Sequence, residues 1–177
     1  AAGAWCDEVS ILAGCKPLNL SPKRRTVIIF ENLSNLNASH WPVVIDIEDN
    51  FYFKSEAGKI LASPADETDS PPCDSQPEEL DIAMTIDRLQ NATNFNIKNI
   101  NHKWAGLRSF FPDRTPIVGE DPLESGFYWL AGQGGYGIQT SPGISKIIEC
   151  LITGTKWPNY LSDNSITPET LSPKRKI

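Results

Sequence analysis

Several residue types are scarce in this chain. Among 177 residues there are two histidines, four cysteines and one methionine. The cysteines, Cys6, Cys15, Cys73 and Cys150, form no Cys-x-x-Cys pair. Two histidines do not complete a zinc ligand set, so no metal site is expected. No run approaches the ~20 apolar residues that span a bilayer, so no transmembrane segment is expected. Positive charge is in the minority: 16 Lys and Arg against 22 Asp and Glu leave a net charge of −6. Such a chain is poorly suited to displacing counterions from a nucleic acid. It is equally poorly suited to a polybasic hold on an anionic membrane.

The opening Ala1-Ala-Gly-Ala-Trp-Cys-Asp7 has neither the basic stretch nor the apolar stretch of a secretory signal. A cytoplasmic location with reduced thiols is therefore expected. The first residue is not Met, which processing or a longer parent chain would explain. Asn-x-Ser/Thr triplets include those at Asn32, Asn37 and Asn91, but in so Asn-rich a chain they imply no glycosylation. Chemical motifs are missing too. There is no G-x-G-x-x-G after a strand, no P-loop, no nucleophile elbow and no H-E-x-x-H. Paired carboxylates such as Glu78-Glu79 are read as dipole-offsetting residues of a helix first turn.

What is present describes a folded chain: 40% hydrophobic and 21% charged residues. Trp5 to Ala13 reads as a short helix, with Val9, Leu12 and Ala13 at helical spacing and Gly14 as its stop. Thr26-Val-Ile-Ile-Phe30 reads as a buried strand. Trp41–Ile47 and Asn50–Lys54 read as an antiparallel hairpin around Asp/Asn punctuation, with Lys59–Ser63 as a further strand. Asp66–Asp74, with Pro71-Pro72, reads as a loop. A helix is predicted from about Ser75, with Glu78 in a possible capping box and Ile82, Ile86 and Leu89 as its buried stripe. Residues 91–94 end it. Ile97–Leu107 and Gly126–Ala131 read as extended. A last helix is predicted with Ser141 as cap, Pro142 at its first position, an apolar face of Ile144, Ile147, Ile148, Leu151 and Ile152, and Gly154 as its end. From Thr155 the chain reads as a frayed tail with a basic finish, Lys174-Arg-Lys176.

Two features could carry chemistry. Arg108 stands in an apolar stretch, Trp104-Ala-Gly-Leu-Arg108, where an anionic ligand or an internal salt bridge could answer its charge. The loop Gly132-Gln-Gly-Gly-Tyr-Gly137 precedes a helix, whose free backbone N–H groups attract negative charge; a simple tight turn is the alternative.

Set in order, these stretches resemble a known family. Trp104–Arg108, Phe111-Pro-Asp-Arg-Thr-Pro-Ile-Val-Gly119 and Gly126-Phe-Tyr-Trp-Leu-Ala-Gly-Gln-Gly-Gly-Tyr-Gly-Ile-Gln-Thr140 are similar to the C-terminal signature of the D-amino-acid oxidase superfamily of flavoproteins. That superfamily includes glycine and sarcosine oxidases. Ala1-Ala-Gly-Ala-Trp5 resembles its strand-ending turn in the FAD domain. Pro22–Thr26, His40-Trp-Pro42, Asp49–Lys54 and Gln76–Ala83 are similar to bacterial D-amino-acid dehydrogenases, the D-arginine dehydrogenase type in particular.

The resemblance implies an α+β fold: an antiparallel substrate-binding sheet with a flanking helix, plus pieces of a Rossmann-like FAD domain. It implies FAD-domain pieces at 1–19 and 101–154, a substrate domain at 20–100 and a tail at 155–177. It implies hydride transfer from the Cα of a D-amino acid to non-covalent FAD, giving an imino acid and then a 2-oxo acid. Arg108 would pair with the substrate carboxylate, with Tyr52 and Arg25 as further partners. Gly135 and Gln139 would face the substrate, Val43 would line the side-chain pocket, and His40 would lie near it. Ala2, Gly3, Trp5, Gly106, Gly134, Gly135, Tyr136, Gly137, Ile138, Gln139 and Thr140 would meet the cofactor. No side chain is assigned as acid or base. The G-x-G-x-x-G half of the family would precede residue 1. The chain alone is therefore expected to hold FAD weakly or not at all, and to expose apolar surface that could pair two copies. A glycine- or sarcosine-type fragment and a non-catalytic remnant are the alternatives.

Overall fold

The computed structural model describes residues 1–31 and 37–175. The Asn32 triplet and Lys176 lie outside the described residues. The chain divides into two units. One contains Arg24–Asp69 and Cys73–Leu107. The other contains Ala1–Lys23, Ser70–Pro72 and Arg108–Ile177.

The first unit is built on a sheet. Its strands are β1 (Ser21–Phe30), β2 (Val44–Ile45), β3 (Tyr52–Glu56), β4 (Lys59–Ser63), β5 (Thr68–Asp69) and β6 (Ile100–Phe110). The order is β2-β3-β4-β1-β5, with β6 also paired to β1. The β2–β3 hairpin is antiparallel, Ile45 opposite Tyr52, and β3–β4 and β4–β1 continue that sense. The alternation of side chains along a strand then sorts the residues. Ile28, Phe30, Phe51, Phe53, Ile60 and Ala62 face the core together with Ile82 and Leu89 of helix α2 (Glu79–Ala92). Phe95 closes this core edge-on to Phe30 and Phe53, at ring separations of 5.4 and 5.2 Å.

Polar groups fasten α2 to the sheet. Thr26 Oγ1 donates to Asp81 Oδ2 at 3.2 Å. Arg24 Nη2 lies 2.9 Å from the same carboxylate oxygen, and the Arg24 guanidinium also pairs with Glu78. Arg88 Nη1 donates to the carbonyls of Asn50 (2.6 Å) and Pro64 (2.8 Å). The predicted capping box is not formed: Glu78 is itself the cap residue and its side chain makes no capping hydrogen bond. Glu79 and Asp81 in the first turn serve the helix dipole instead. Within the predicted loop 66–74, Thr68–Asp69 pair with β1 as a two-residue strand.

The second unit opens with a 3₁₀ turn at Gly3–Trp5 and helix α1 (Cys6–Leu12). Both carboxylate oxygens of Asp7 accept backbone N–H groups, from Leu18 and Leu20, at 2.8 Å each. The buried residues here are Ala4 and Ser10; the expected apolar positions Val9 and Leu12 are exposed, Leu12 by 87%. A two-stranded antiparallel sheet follows, β7 (Ile117–Glu120) with β8 (Tyr128–Ala131). Helix α3 (Gly137–Thr153) ends, as the sequence indicates, at Gly154 in the left-handed conformation (φ 68°). Its start differs from expectation. α3 begins at Gly137, so Pro142 lies inside it and Ser141 is not its cap. Proline has no N–H to offer the carbonyl four residues back. Ser141 Oγ donates to that carbonyl, Ile138 O, at 2.8 Å instead.

The tail also differs. It folds into α4 (Asn159–Ser162) and α5 (Pro168–Leu171), whose Leu161 and Leu171 join Val118, Ile144 and Ile147 in one buried cluster. A second cluster gathers Cys15, Phe111, Ile117, Trp129 and Ala131. Asp121 is buried beside it. Burial pushes its carboxyl up, but the Trp129 Nε1–H (2.9 Å) and the backbone N–H groups of Leu123 and Glu124 outweigh that and hold it below the usual carboxylate range.

Two outcomes are expected. Phe30→Ala removes a fully buried ring and should cost about 3–5 kcal/mol in denaturant unfolding. Asp121 has a folded-state value below the unfolded ~3.9, so its stabilisation is complete at neutral pH and is lost as pH falls through the folded value. Acid titrations followed by near-ultraviolet circular dichroism should therefore show a shallower acid limb for Asp121→Asn.

Candidate functional site

The glycine loop is formed at the end of β6. Gly134 N–H donates to Ser109 O at 3.0 Å, and Phe110 bridges to Gln133. These bonds lay the loop directly on the aromatic ring of Phe110. A Cβ on Gly134 would stand 2.8 Å from Phe110 Cδ1 and nearer still to Cε1, and its φ of +53° is in the left-handed region as well. A Cβ on Gly135 would stand 2.9 Å from Arg108 Nη1. Glycine at 134 is thus dictated by the Phe110 ring as well as by its left-handed φ, while at 135 a Cβ would have to push the Arg108 guanidinium aside.

Arg108 is half-buried, and among the described residues its guanidinium has no hydrogen-bond or ion-pair partner. The internal salt bridge considered from sequence is therefore not formed there. Beyond the loop, α3 starts with no side-chain cap and no acidic residue in its first turn. The first helical bond joins Thr140 N–H to Tyr136 O (3.0 Å), which leaves the N–H groups of Gly137, Ile138 and Gln139 without helical partners. Tyr136, Ile138 and Gln139 are exposed, Ile138 by 94%. This end of α3 offers donors and partial positive charge to an electron-rich group.

The same unit holds Ala2, Gly3 and Trp5. Ala2 O accepts from Trp5 N–H at 2.9 Å, and Gly3 takes a φ of +55°. Nothing crowds a Cβ at Gly3, so its glycine is explained by backbone conformation rather than close contact. Trp5 is exposed, and Gly106 is an exposed strand residue with open space about it.

The remaining predicted residues belong to the sheet unit. Arg25 Cζ lies 5.9 Å from the centre of the Tyr52 ring. Arg25 Nε donates to Asp66 O at 2.7 Å and Nη2 pairs with Glu67 at 3.2 Å, so much of its charge is already answered. The Tyr52 hydroxyl has no hydrogen-bond partner among the described residues. Alternation puts Tyr52 on the face opposite α2, with its cross-strand partner Ile45 and with Val43 two residues from it. Val43 and His40 are exposed. Among the described residues, no three His, Cys, Asp or Glu side chains gather as a metal ligand set. No helix there is long and apolar enough to cross a membrane.

Sequence reasoning missed the support under the loop. Phe110 carries Gly134 on its ring, and Arg114 Cζ lies 4.3 Å from the centre of that ring. Phe111 lies against Gly132 and under Arg175, whose Cζ is 4.5 Å from its ring centre. Arg175 holds Asp113 with two hydrogen bonds, 2.8 and 2.9 Å, and these hold the Asp113 carboxyl below its usual range despite partial burial. Two adjacent phenylalanines before Pro112 were the available signal. At a strand end they place one ring on each side of the chain.

Substitution separates the tight glycines from the loose ones. Gly134→Ala should cost about 1–3 kcal/mol from overpacking and the left-handed φ. Gly106→Ala, made in open space, should change stability by less than about 0.5 kcal/mol. Thermal unfolding of the two variants measures the contrast.

Comparison with known proteins places this arrangement. The family described as DAO, FAD dependent oxidoreductase, matches residues 1–151. The uncharacterized oxidoreductase YurR of Bacillus subtilis is 27% identical over 164 residues, covering 86% of this chain and 41% of the relative. The FAD-dependent oxidoreductase domain-containing protein 1 of Xenopus laevis is 28% identical over 179 residues, covering 86% and 34%. The chain thus spans less than half the length of these curated relatives. Among solved structures, iminodiacetate oxidase from Chelativorans sp. BNC1 superposes with a TM-score of 0.79 at 19% identity, covering 98% of this chain and 44% of that one. Glycine oxidase from Geobacillus kaustophilus gives 0.73 at 18%, covering 100% and 45%. The fold is that of these oxidases, and the family match extends from Ala1 through Leu151, across the glycine loop and Arg108: the chain belongs to the DAO family of FAD-dependent oxidoreductases.

Proposed function

We propose that this chain carries the carboxylate-binding part of a flavoenzyme that oxidises the CH–NH2 group of primary D-amino acids, in the manner of the D-arginine dehydrogenase type. The observation that carries this reading is Arg108. A half-buried guanidinium with no partner among the described residues is costly to maintain unless an anion completes it. Its planar fork suits the two oxygens of an α-carboxylate. The glycine loop suits it as well, because Gly135 has no side chain to cover Nη1.

The glycine cradle and the bare first turn of α3 fit the electron-rich edge of a flavin, with the N–H groups of Gly137, Ile138 and Gln139 as donors. When bound, FAD supplies the acceptor for the hydride leaving the substrate Cα, and water completes the conversion of imino acid to 2-oxo acid. The chain's own contribution is orientation. Arg108 fixes the carboxylate and, through it, the direction of the Cα–H bond. In the sheet unit, the Tyr52 hydroxyl, with no hydrogen-bond partner among the described residues, is a donor suited to a carboxylate, and Val43 is exposed and apolar. Arg25 retains an Nη1 with no hydrogen-bond partner among the described residues and is assigned as an auxiliary cation. No side chain is assigned the amine proton; water takes it.

The test uses the complete gene product with FAD, a panel of D-amino acids and an artificial electron acceptor. Turnover of D-amino acids is expected. Arg108→Ala should raise KM about 10–100-fold, the loss of one charge-assisted pair, with an unchanged flavin spectrum. A variant with the parent KM, or a parent that no D-amino acid reduces, overturns the reading.

A further inference from the structure

We propose that Arg175 is a positioning residue for Arg108, acting through the Phe111–Pro116 turn and the Phe110 ring; this rests on the carboxylate-binding role proposed above. Arg175 stands 67 positions along the chain from Arg108 and touches no part of the glycine loop itself, yet it is committed entirely to the support beneath it.

Its side chain is only 9% exposed. Nε and Nη2 hold the two oxygens of Asp113; Nη2 also donates to Thr115 O (2.7 Å), and Nη1 to Leu171 O (3.0 Å). The face of the guanidinium covers Phe111. One guanidinium therefore ties α5 to both ends of a tight turn. A purely local cap would need one or two of these bonds. Using all of them fixes the turn in every direction, as a planar five-donor group can.

What the turn holds is unusual. Arg114 adopts φ +61°, a left-handed conformation that non-glycine residues rarely take and that persists where surrounding contacts over-determine it. Arg114 N–H donates to Phe111 O at 2.8 Å, and Thr115 N–H to Asp113 Oδ1 at 2.9 Å, on the same carboxylate that Arg175 grips. In this conformation the Arg114 guanidinium lies on the Phe110 ring. Gly134 also packs against that ring, and Gly135 borders Arg108 Nη1. Arg175 thus fixes the turn, the turn seats Arg114, Arg114 confines the ring, and the ring supports the loop that walls Arg108.

The test is a mutant cycle on the complete flavin-loaded gene product. Arg175→Ala is expected to raise KM for the amino acid about tenfold, within the ~100-fold that a 1 Å misplacement can cause, with a smaller change in kcat. In an Arg108→Ala background the same substitution should leave KM unchanged, because its effect passes through Arg108. Arg114→Gly accepts the left-handed φ and deletes the guanidinium on Phe110. It should raise KM, and the melting temperature measured alongside separates positioning from stability. Arg175→Lys, which keeps charge but not the fork, should behave like the alanine variant. The proposal is overturned if Arg175→Ala and Arg114→Gly keep the parent KM. It is also overturned if the Arg175→Ala effect persists in full without Arg108. If Arg108→Ala itself leaves KM unaltered, the carboxylate-binding reading fails instead.

Discussion

The Gly134 N–H bonded to Ser109 O sets the position of most of what could meet a ligand in the second unit. It joins the end of a strand to a loop that is mostly glycine. Once that bond is made, the Phe110 ring occupies the space beside Gly134, and the loop passes close to Arg108. The helix that follows starts immediately, with its first bond back to Tyr136. Four glycines between 132 and 137 would otherwise give this segment a large choice of conformations. Contact with one strand end reduces that choice to the observed path. Among the described residues the arrangement leaves the Arg108 guanidinium unpaired and the helix donors without helical partners, the two properties that an anionic substrate and an electron-rich cofactor would use.

The sheet unit solves a different problem with adjacent arginines. Successive residues of a strand point to opposite faces. Arg24 faces α2, where Asp81 and Glu78 answer it, and with Thr26 it ties the helix to the sheet. Arg25 faces the other way, over Tyr52. One basic pair in sequence therefore serves structure with one member and remains partly available with the other. The burial pattern agrees: the apolar residues of the α2 side close into a core around Phe95, while Ile45 and Val43 on or beside β2 stay exposed.

Much of this was legible in the sequence, for identifiable reasons. The β1 run Thr26–Phe30 is a continuous β-branched and apolar stretch and the stripe of α2 is helically spaced, and there local pattern agrees with tertiary packing. The exceptions arise where packing overrides pattern. β7 is short, follows a proline and contains Gly119, so nothing local marks it; Ile117 and Val118 enter two different cores. The tail reads as polar loop because its anchors, Trp157, Leu161, Ile166 and Leu171, are far apart among Pro, Ser and Asn. Ser141-Pro142 is a good local start signal, but the loop already delivers helical geometry at Gly137. At the site, local residues left Arg108 and the glycines ambiguous, and family resemblance singled them out. That Arg108 has no partner among the described residues, and that glycine is needed beside Phe110, are properties of contacts between segments, which spacing does not reveal.

Pro142 has a consequence for motion. In an uninterrupted helix each turn is tied to the next by a bond at every residue. Here the tie from position 142 to Ile138 is missing from the backbone, and a serine hydroxyl stands in for it. The segment Gly137–Ser141 is thus coupled to the body of α3 by fewer backbone bonds than any other turn of that helix. The buried cluster holds the rest of α3 through Ile144 and Ile147, so by its bonding this first turn is the least tied part of the helix.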